Sequence, residues 1–201
     1  VRPNSTTVSP SAAKRLAMSV TGLMRQLGMP GGKFEIAIET ETDAEPAASG
    51  SDRIEFLVSA NPGQPAKPVA RVASGGELSR ISLAVQVAAA HRHARTCMIF
   101  DEVDAGIGGG VAEIVWRQLR ELGDRGQVLC VTHLAQVASQ AHHQLRVTKL
   151  TDGRTSRTAV SALGADERVE ELARMLGGVE ITRKARDHAR EMLRTAGAAA
   201  R

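Results

Sequence analysis

Cys97-Met98-Ile99-Phe100-Asp101-Glu102-Val103-Asp104 begins as an apolar run and ends in acids. A short continuous apolar run of this kind, 96–100, reads as a strand buried on both faces, with Asp101 and Glu102 standing where it emerges. Before it, 78–90 reads as an apolar helix; after it come a helix over 111–122, a second buried run over 127–131 and an alternating stretch over 145–149. Strands alternating with helices imply an α/β fold, a mainly parallel sheet with flanking helices, in which functional groups collect at the carboxyl ends of the strands.

Further out, Ser9-Pro10 reads as a cap and first helical position. Ala13, Leu16, Val20, Leu23 and Leu27 then recur at heptad spacing until Gly28 stops the helix. That seam suits either an ordinary amphipathic helix or the end of a coiled coil. Phe34/Ile36/Ile38 and Ile54/Phe56/Val58 alternate as two half-buried strands, a small antiparallel pair, joined by a loop over 40–52. The stretch 61–68 carries three prolines and reads as extended. Amphipathic helices over 167–176 and 182–193 close the chain around a break at Gly177-Gly178.

Composition narrows the function. The 201 residues carry 26 Lys+Arg against 22 Asp+Glu, a net charge of +4 that is compatible with a polyanionic partner or with a solvated surface. Phe34, Phe56, Phe100 and Trp116 are the whole aromatic complement, too few for a base-stacking platform. Charged residues interrupt every apolar run well short of the ~18 needed to span a membrane. Cys97 and Cys130, both inside apolar runs and without CxxC spacing, read as buried thiols of a reducing, cytoplasmic compartment.

Three groups carry chemistry. Adjacent carboxylates at a strand end suit phosphoryl transfer, Asp101 holding magnesium directly or through water and Glu102 orienting or deprotonating the attacking water; acids also simply end strands. Ser74-Gly75-Gly76-Glu77 precedes the 78–90 helix, where glycines and free N–H groups favour an anion; Ser74 and Glu77 equally spell a capping box. His133 follows the second apolar run, placed to meet a terminal phosphate or water, or to serve structure alone.

The ordered set, a Ser-Gly-Gly-Glu turn, a helix, a strand ending Asp-Glu, Val-Asp-Ala at 103–105 and a strand ending at His133, resembles the ABC-type ATPase head in its SMC-like branch. The stretch 73–79 is similar to the signature motif, 98–102 to the Walker B strand, Asp104 to the D-loop and His133 to the switch histidine. Gly28-Met29-Pro30, Asn61-Pro62-Gly63-Gln64-Pro65 and 171–178 are similar to the bacterial RecN DNA-repair ATPases, and the likeness runs over 11–193. The resemblance implies ATP and Mg2+ as cofactors, with Ser74, Gly75, Gly76, Glu77 and Asp104 binding nucleotide, Asp101 the metal, and Glu102 and His133 catalytic. It implies as partners DNA and either the amino-terminal half of the same head or a second complete head, and no membrane. It also implies that 1–28 is the end of a coiled-coil arm and 29–201 the carboxy-terminal half of a head. No Gly-rich loop ending in Lys and Ser/Thr occurs in this sequence, so the chain alone is expected not to turn over ATP. Arg80 contacts nucleotide or caps a surface. Two other readings remain: a non-catalytic dimerisation or regulatory fragment lending its signature loop, and a metal-dependent nuclease using Asp101, Glu102 and Asp104.

Overall fold

Residues 9–40, 52–72, 74–89, 97–151, 155–177 and 180–198 are described by the computed structural model. Pro10 opens α1 (Pro10–Gln26) where its missing N–H costs nothing. Ser9 precedes it in extended backbone, but its hydroxyl pairs with Ser11 Oγ at 2.8 Å instead of capping; only its carbonyl serves the helix, accepting from Ala12 and Ala13. Gly28, at φ 84°, turns the chain away after Leu27. Ala13, Val20, Met24 and Leu27 are buried on the face that meets α2 (Gly75–Ala89) and β1 (Lys33–Thr40).

β1 pairs antiparallel with β2 (Asp52–Ser59) in a register that sets Phe34 opposite Val58, Ile36 opposite Phe56 and Ile38 opposite Ile54. The expected half-buried face is buried only at its inner end: Phe34 and Val58 reach the core, whereas Ile54 and Phe56 are 47% and 40% exposed. The linking residues 41–51, expected to form a loop, lie outside the described residues. The proline-rich stretch is not extended throughout. The Gln64 N–H donates to the Asn61 carbonyl at 3.3 Å with Gly63 at φ 78°, a turn that Pro62-Gly63 in its central positions favours. The chain then runs out as β3 (Lys67–Pro68), so the expected pair becomes a three-stranded sheet in the order β1-β2-β3.

α2 starts at Gly75, ahead of the expected Leu78, because the two glycines form its first turn behind Ser74; Ala90 lies outside the described residues. β4 (Cys97–Phe100) and β5 (Gln127–Cys130) are parallel, joined through α3 (Gly109–Gly123), and the Val131 N–H continues the ladder to the Phe100 carbonyl at 2.9 Å. The principal core gathers Val20, Met24, Leu27, Leu83, Val103 and Leu122 among its fully buried side chains.

Both apolar runs were expected to be buried on each face, and the structure corrects this. Met98, Phe100, Val128 and Cys130 pack on the core, while on the opposite face Ile99 is 72% and Val131 60% exposed, and Cys97 is exposed too. Among the described residues this sheet has two strands and nothing covers its second face. Cys130 does lie half-buried, and its thiol is pushed up to about 12 by desolvation first and then by the charges of Asp104 and Asp101.

Beyond β5, the short α4 (Ala135–Ala138) packs on α5 (Ala165–Gly177) and α6 (Arg183–Ala198) in a second small core around Leu172, Ala173 and Ala189. Gly178, half of the expected break, lies outside the described residues. Between α4 and α5 the 145–149 alternation becomes β6 (Leu145–Thr151), which pairs antiparallel with β7 (Ser156–Ala162), a strand the sequence reading did not place. Among the described residues no helix is long and apolar enough to cross a membrane.

Candidate functional site

The amino terminus of α2 and the carboxyl ends of β4 and β5 meet at one end of the fold. Ser74 caps α2: its Oγ accepts from the Glu77 N–H at 3.4 Å and its carbonyl from the Leu78 N–H at 3.0 Å. The cap engages one of the first N–H groups, that of Glu77, and the groups ahead of it have no partner inside the helix and suit an anion. Gly76 is buried, and a Cβ on it would lie 3.0 Å from Ala105 Cβ and 3.2 Å from the Ala105 carbonyl oxygen. Gly75 is exposed, and a Cβ on it would overlap Glu102 Oε2. The Glu102 carboxylate therefore stands at the positive end of α2 within the same chain, a favourable place for negative charge.

Asp101 and Glu102 are both exposed at the end of β4. The Asp101 carbonyl accepts from Ser79 Oγ at 2.5 Å, tying β4 to the second turn of α2, and Asp101 Oδ1 accepts from the Glu102 N–H at 2.9 Å. Glu102 takes φ 55°, the left-handed region in which no other described non-glycine residue lies. The strained backbone thus falls at the second acid of the pair, where β4 gives way to the turn closed by the Ala105 N–H on the Glu102 carbonyl at 3.0 Å.

Asp104 turns inward. It is 1% exposed; Thr132 Oγ1 donates to its Oδ2, and His133 Nδ1 lies 3.7 Å from its Oδ1. The His133 side chain is 72% exposed. Arg80 is also buried, its Nη1 donating to the Ala105 carbonyl at 2.8 Å while its Nε has no partner. Burial pulls the guanidinium below its ordinary pKa, and Glu77 opposes that shift. Arg80 thus pins the loop after β4 under the Gly75-Gly76 turn, and it is neither a surface cap nor turned outward.

Every predicted site residue, Ser74, Gly75, Gly76, Glu77, Asp101, Glu102, Asp104 and His133, lies in this region, joined through the contacts Gly75–Glu102, Arg80–Ala105 and Asp104–His133. Ala73, quoted with the signature stretch, lies outside the described residues. No group of three or more His, Cys, Asp or Glu among the described residues forms a ready metal cage. One free-standing carboxylate pair fits magnesium that keeps waters and takes its other ligands from phosphates. Sequence reasoning assigned no role to Thr132 and quoted Ser79 only as part of a motif; a hydroxyl at a strand end or one turn into a helix gives no local signal of a partner more than twenty positions away, as both have.

No protein-family model matches the chain. Among curated proteins it is 47% identical over 182 residues to DNA repair protein RecN of Xylella fastidiosa (strain 9a5c), covering 90% of this chain and 33% of that protein. It is 49% identical over 182 residues to DNA repair protein RecN of Deinococcus radiodurans, covering 90% and 31%. The chain thus spans about a third of the length of the curated relatives it matches. Among solved structures it is similar to the Smc head domain with a coiled coil and joint from Pyrococcus yayanosii, with TM-score 0.54, 24% identity, and coverage of 79% of this chain and 28% of that one. A Pyrococcus furiosus Smc head domain, bound to the C-terminal domain of ScpA, matches with TM-score 0.51 and 21% identity over 79% of this chain and 37% of that one. The fold is that of part of an Smc head domain, and the similarity to RecN read from the motifs is found over nine-tenths of the chain.

Proposed function

We propose that this chain is the signature- and Walker-B-bearing lobe of a RecN-type DNA-repair ATPase head, with α1 the end of a coiled-coil arm and residues 29–201 the lobe. It uses ATP and Mg2+ in the cytoplasm, near the nucleoid. The observation that carries the reading is the convergence of the α2 amino terminus, the acid pair after β4 and the histidine after β5 on one end of the fold. Such a set serves phosphoryl transfer by placing helix N–H groups on the triphosphate, Asp101 on the metal and Glu102 on the attacking water. What the set lacks is a loop to cradle the phosphates, and the amino-terminal half of the same head or a second complete head supplies it. The bare face of the β4–β5 sheet, with Ile99 and Val131 exposed, suits a covering layer, and the edges of this two-stranded sheet suit further strands, from such an amino-terminal half. Closure of two such heads over ATP would move the arm that ends at α1, and DNA is the partner on which that movement acts.

Mixing the chain with an amino-terminal head fragment that carries the phosphate loop tests this. Turnover should appear only in the mixture and should fall on Glu102→Gln and on Ser74→Ala. Hydrolysis by the chain alone would overturn the half-site reading, and activity sensitive to Ser74 but not to Glu102 would show a module that only lends its signature turn. Metal-dependent DNA cleavage without nucleotide would instead favour a nuclease.

A further inference from the structure

Asp104 is the most buried acid of the site, and its two oxygens face two different groups. Oδ2 accepts from Thr132 Oγ1, which itself accepts from the Leu134 N–H at 3.0 Å; the other acceptor in reach of that hydroxyl, the Leu134 carbonyl at 3.4 Å, is the more distant and is uncharged. Oδ1 is left facing His133 Nδ1 at 3.7 Å, beyond hydrogen-bond length, on a ring that is 72% exposed. An ionised carboxylate only accepts, so the imidazole nitrogen facing it is the one that carries hydrogen. Nε2 then keeps the ring's lone pair, on that exposed side chain.

We propose that Asp104 and Thr132 are positioning residues for His133. Thr132 holds the carboxylate, the carboxylate favours the imidazole tautomer with hydrogen on Nδ1, and Nε2 of that tautomer is the acceptor offered to water at the end of β5. The same carboxylate sits two positions past Glu102, so the pair also joins the loop after β4 to the loop after β5. His133 and the acid pair thereby approach a nucleotide as one unit. Only that last consequence rests on the ATPase reading; the tautomer does not.

Long-range nitrogen–proton correlation spectra of the 201-residue chain read the tautomer directly, with His133→Gln identifying the resonances among the six histidines. The chain should show His133 as Nδ1–H. Asp104→Asn and the isosteric Thr132→Val should move it to the Nε2–H form that an unassisted imidazole favours in water, while Thr132→Ser, which keeps the hydroxyl, should restore Nδ1–H. A His133 tautomer unchanged in Asp104→Asn overturns the proposal whatever the ATPase assay shows. In the mixture with the amino-terminal fragment, Asp104→Asn and Thr132→Val should lower turnover at saturating ATP about tenfold, the worth of one orienting hydrogen bond, with KM little changed. Turnover equal to that of the unsubstituted chain, with the tautomer shifted, overturns the positioning role. A shifted tautomer in a mixture that never hydrolyses ATP confirms the pair and sinks the ATPase reading instead.

Discussion

Replacing Gly75 or Gly76 by alanine distinguishes a glycine required by space from one required by the ligand. Each gains about 0.4–1 kcal/mol from the smaller entropy lost by alanine in a helix, since neither adopts positive φ. At Gly76 the added methyl meets Ala105 Cβ at 3.0 Å and the Ala105 carbonyl oxygen at 3.2 Å, with Arg80 Nη1 at 3.3 Å behind them. That wall is the loop after β4 itself, pinned from below by the Arg80 bond to Ala105. Overpacking of this kind costs about 1–3 kcal/mol, so Gly76→Ala should lose roughly 1–2 kcal/mol net. For a chain of this size that is a fall of about 2–8 °C in Tm. At Gly75 the obstacle is the tip of the exposed Glu102 side chain, which can swing aside. Gly75→Ala should therefore melt at the parent temperature or a few degrees above it. In the mixture with the amino-terminal fragment both substitutions should lower turnover, Gly75→Ala because a methyl on that exposed residue crowds the approach of phosphate to the first turn of α2, and Gly76→Ala because its methyl displaces the loop that carries the acids. Thermal unfolding followed by circular dichroism, beside the ATPase assay, separates the two effects. If Gly75→Ala unfolded as early as Gly76→Ala, Glu102 would be a fixed wall and the account of its placement would be wrong.

Two further outcomes follow from burial. The Cys130 thiol has its pKa raised from 9.0 to about 12, so the unfolded chain gives up its proton first as pH climbs; the stabilisation is complete below about 9 and is lost progressively from there through about 12. Denaturant midpoints should therefore drop over that interval and drop less in Cys130→Ser, and an identical slope in the two proteins would refute the burial of the thiol. Ile99→Thr with Val131→Thr, on the uncovered face of the β4–β5 sheet, should leave Tm within about 1 °C and reduce concentration-dependent light scattering, as expected when an exposed apolar patch is removed. Scattering unchanged by the double substitution would mean that this face is not what draws copies together.

The elements that sequence could announce are those written in local terms. Pro10 at a first helical position, Gly28 past a last one and the apolar spacing of α5 and α6 each act within a turn or two, and each element formed where its own residues dictate. Cover is different. An unbroken apolar run such as 96–100 records that some partner packs on both faces of a strand, not that the partner lies in the same stretch of chain, and β4 and β5 expose one face because nothing among the described residues lies on it. The three prolines of 61–68 likewise forbade helix without choosing between a turn and a strand; Gly63, free to take positive φ after Pro62, made the choice. β7 was legible in principle, since Asp152-Gly153 lies between it and β6 and such a pair favours a hairpin.

The site divides along the same line. Ser74, the two glycines, Asp101, Glu102 and His133 stand at helix starts and strand ends, and position alone marks those as places where chemistry collects. The contacts that organise them are long-range: Ser79 to Asp101, Arg80 to Ala105 and Thr132 to Asp104 span 22, 25 and 28 positions. Because the donors stand on α2 or just after β5, while the acceptors cluster in the loop after β4, that loop is fixed from two sides and carries its acids between. Asp104 shows the consequence. The resemblance to a D-loop implies contact with nucleotide, and the structure buries its carboxylate under Thr132 with one oxygen facing His133. A motif names the residue type that a position needs; only the packing of the loop on both neighbours decides which way that residue faces.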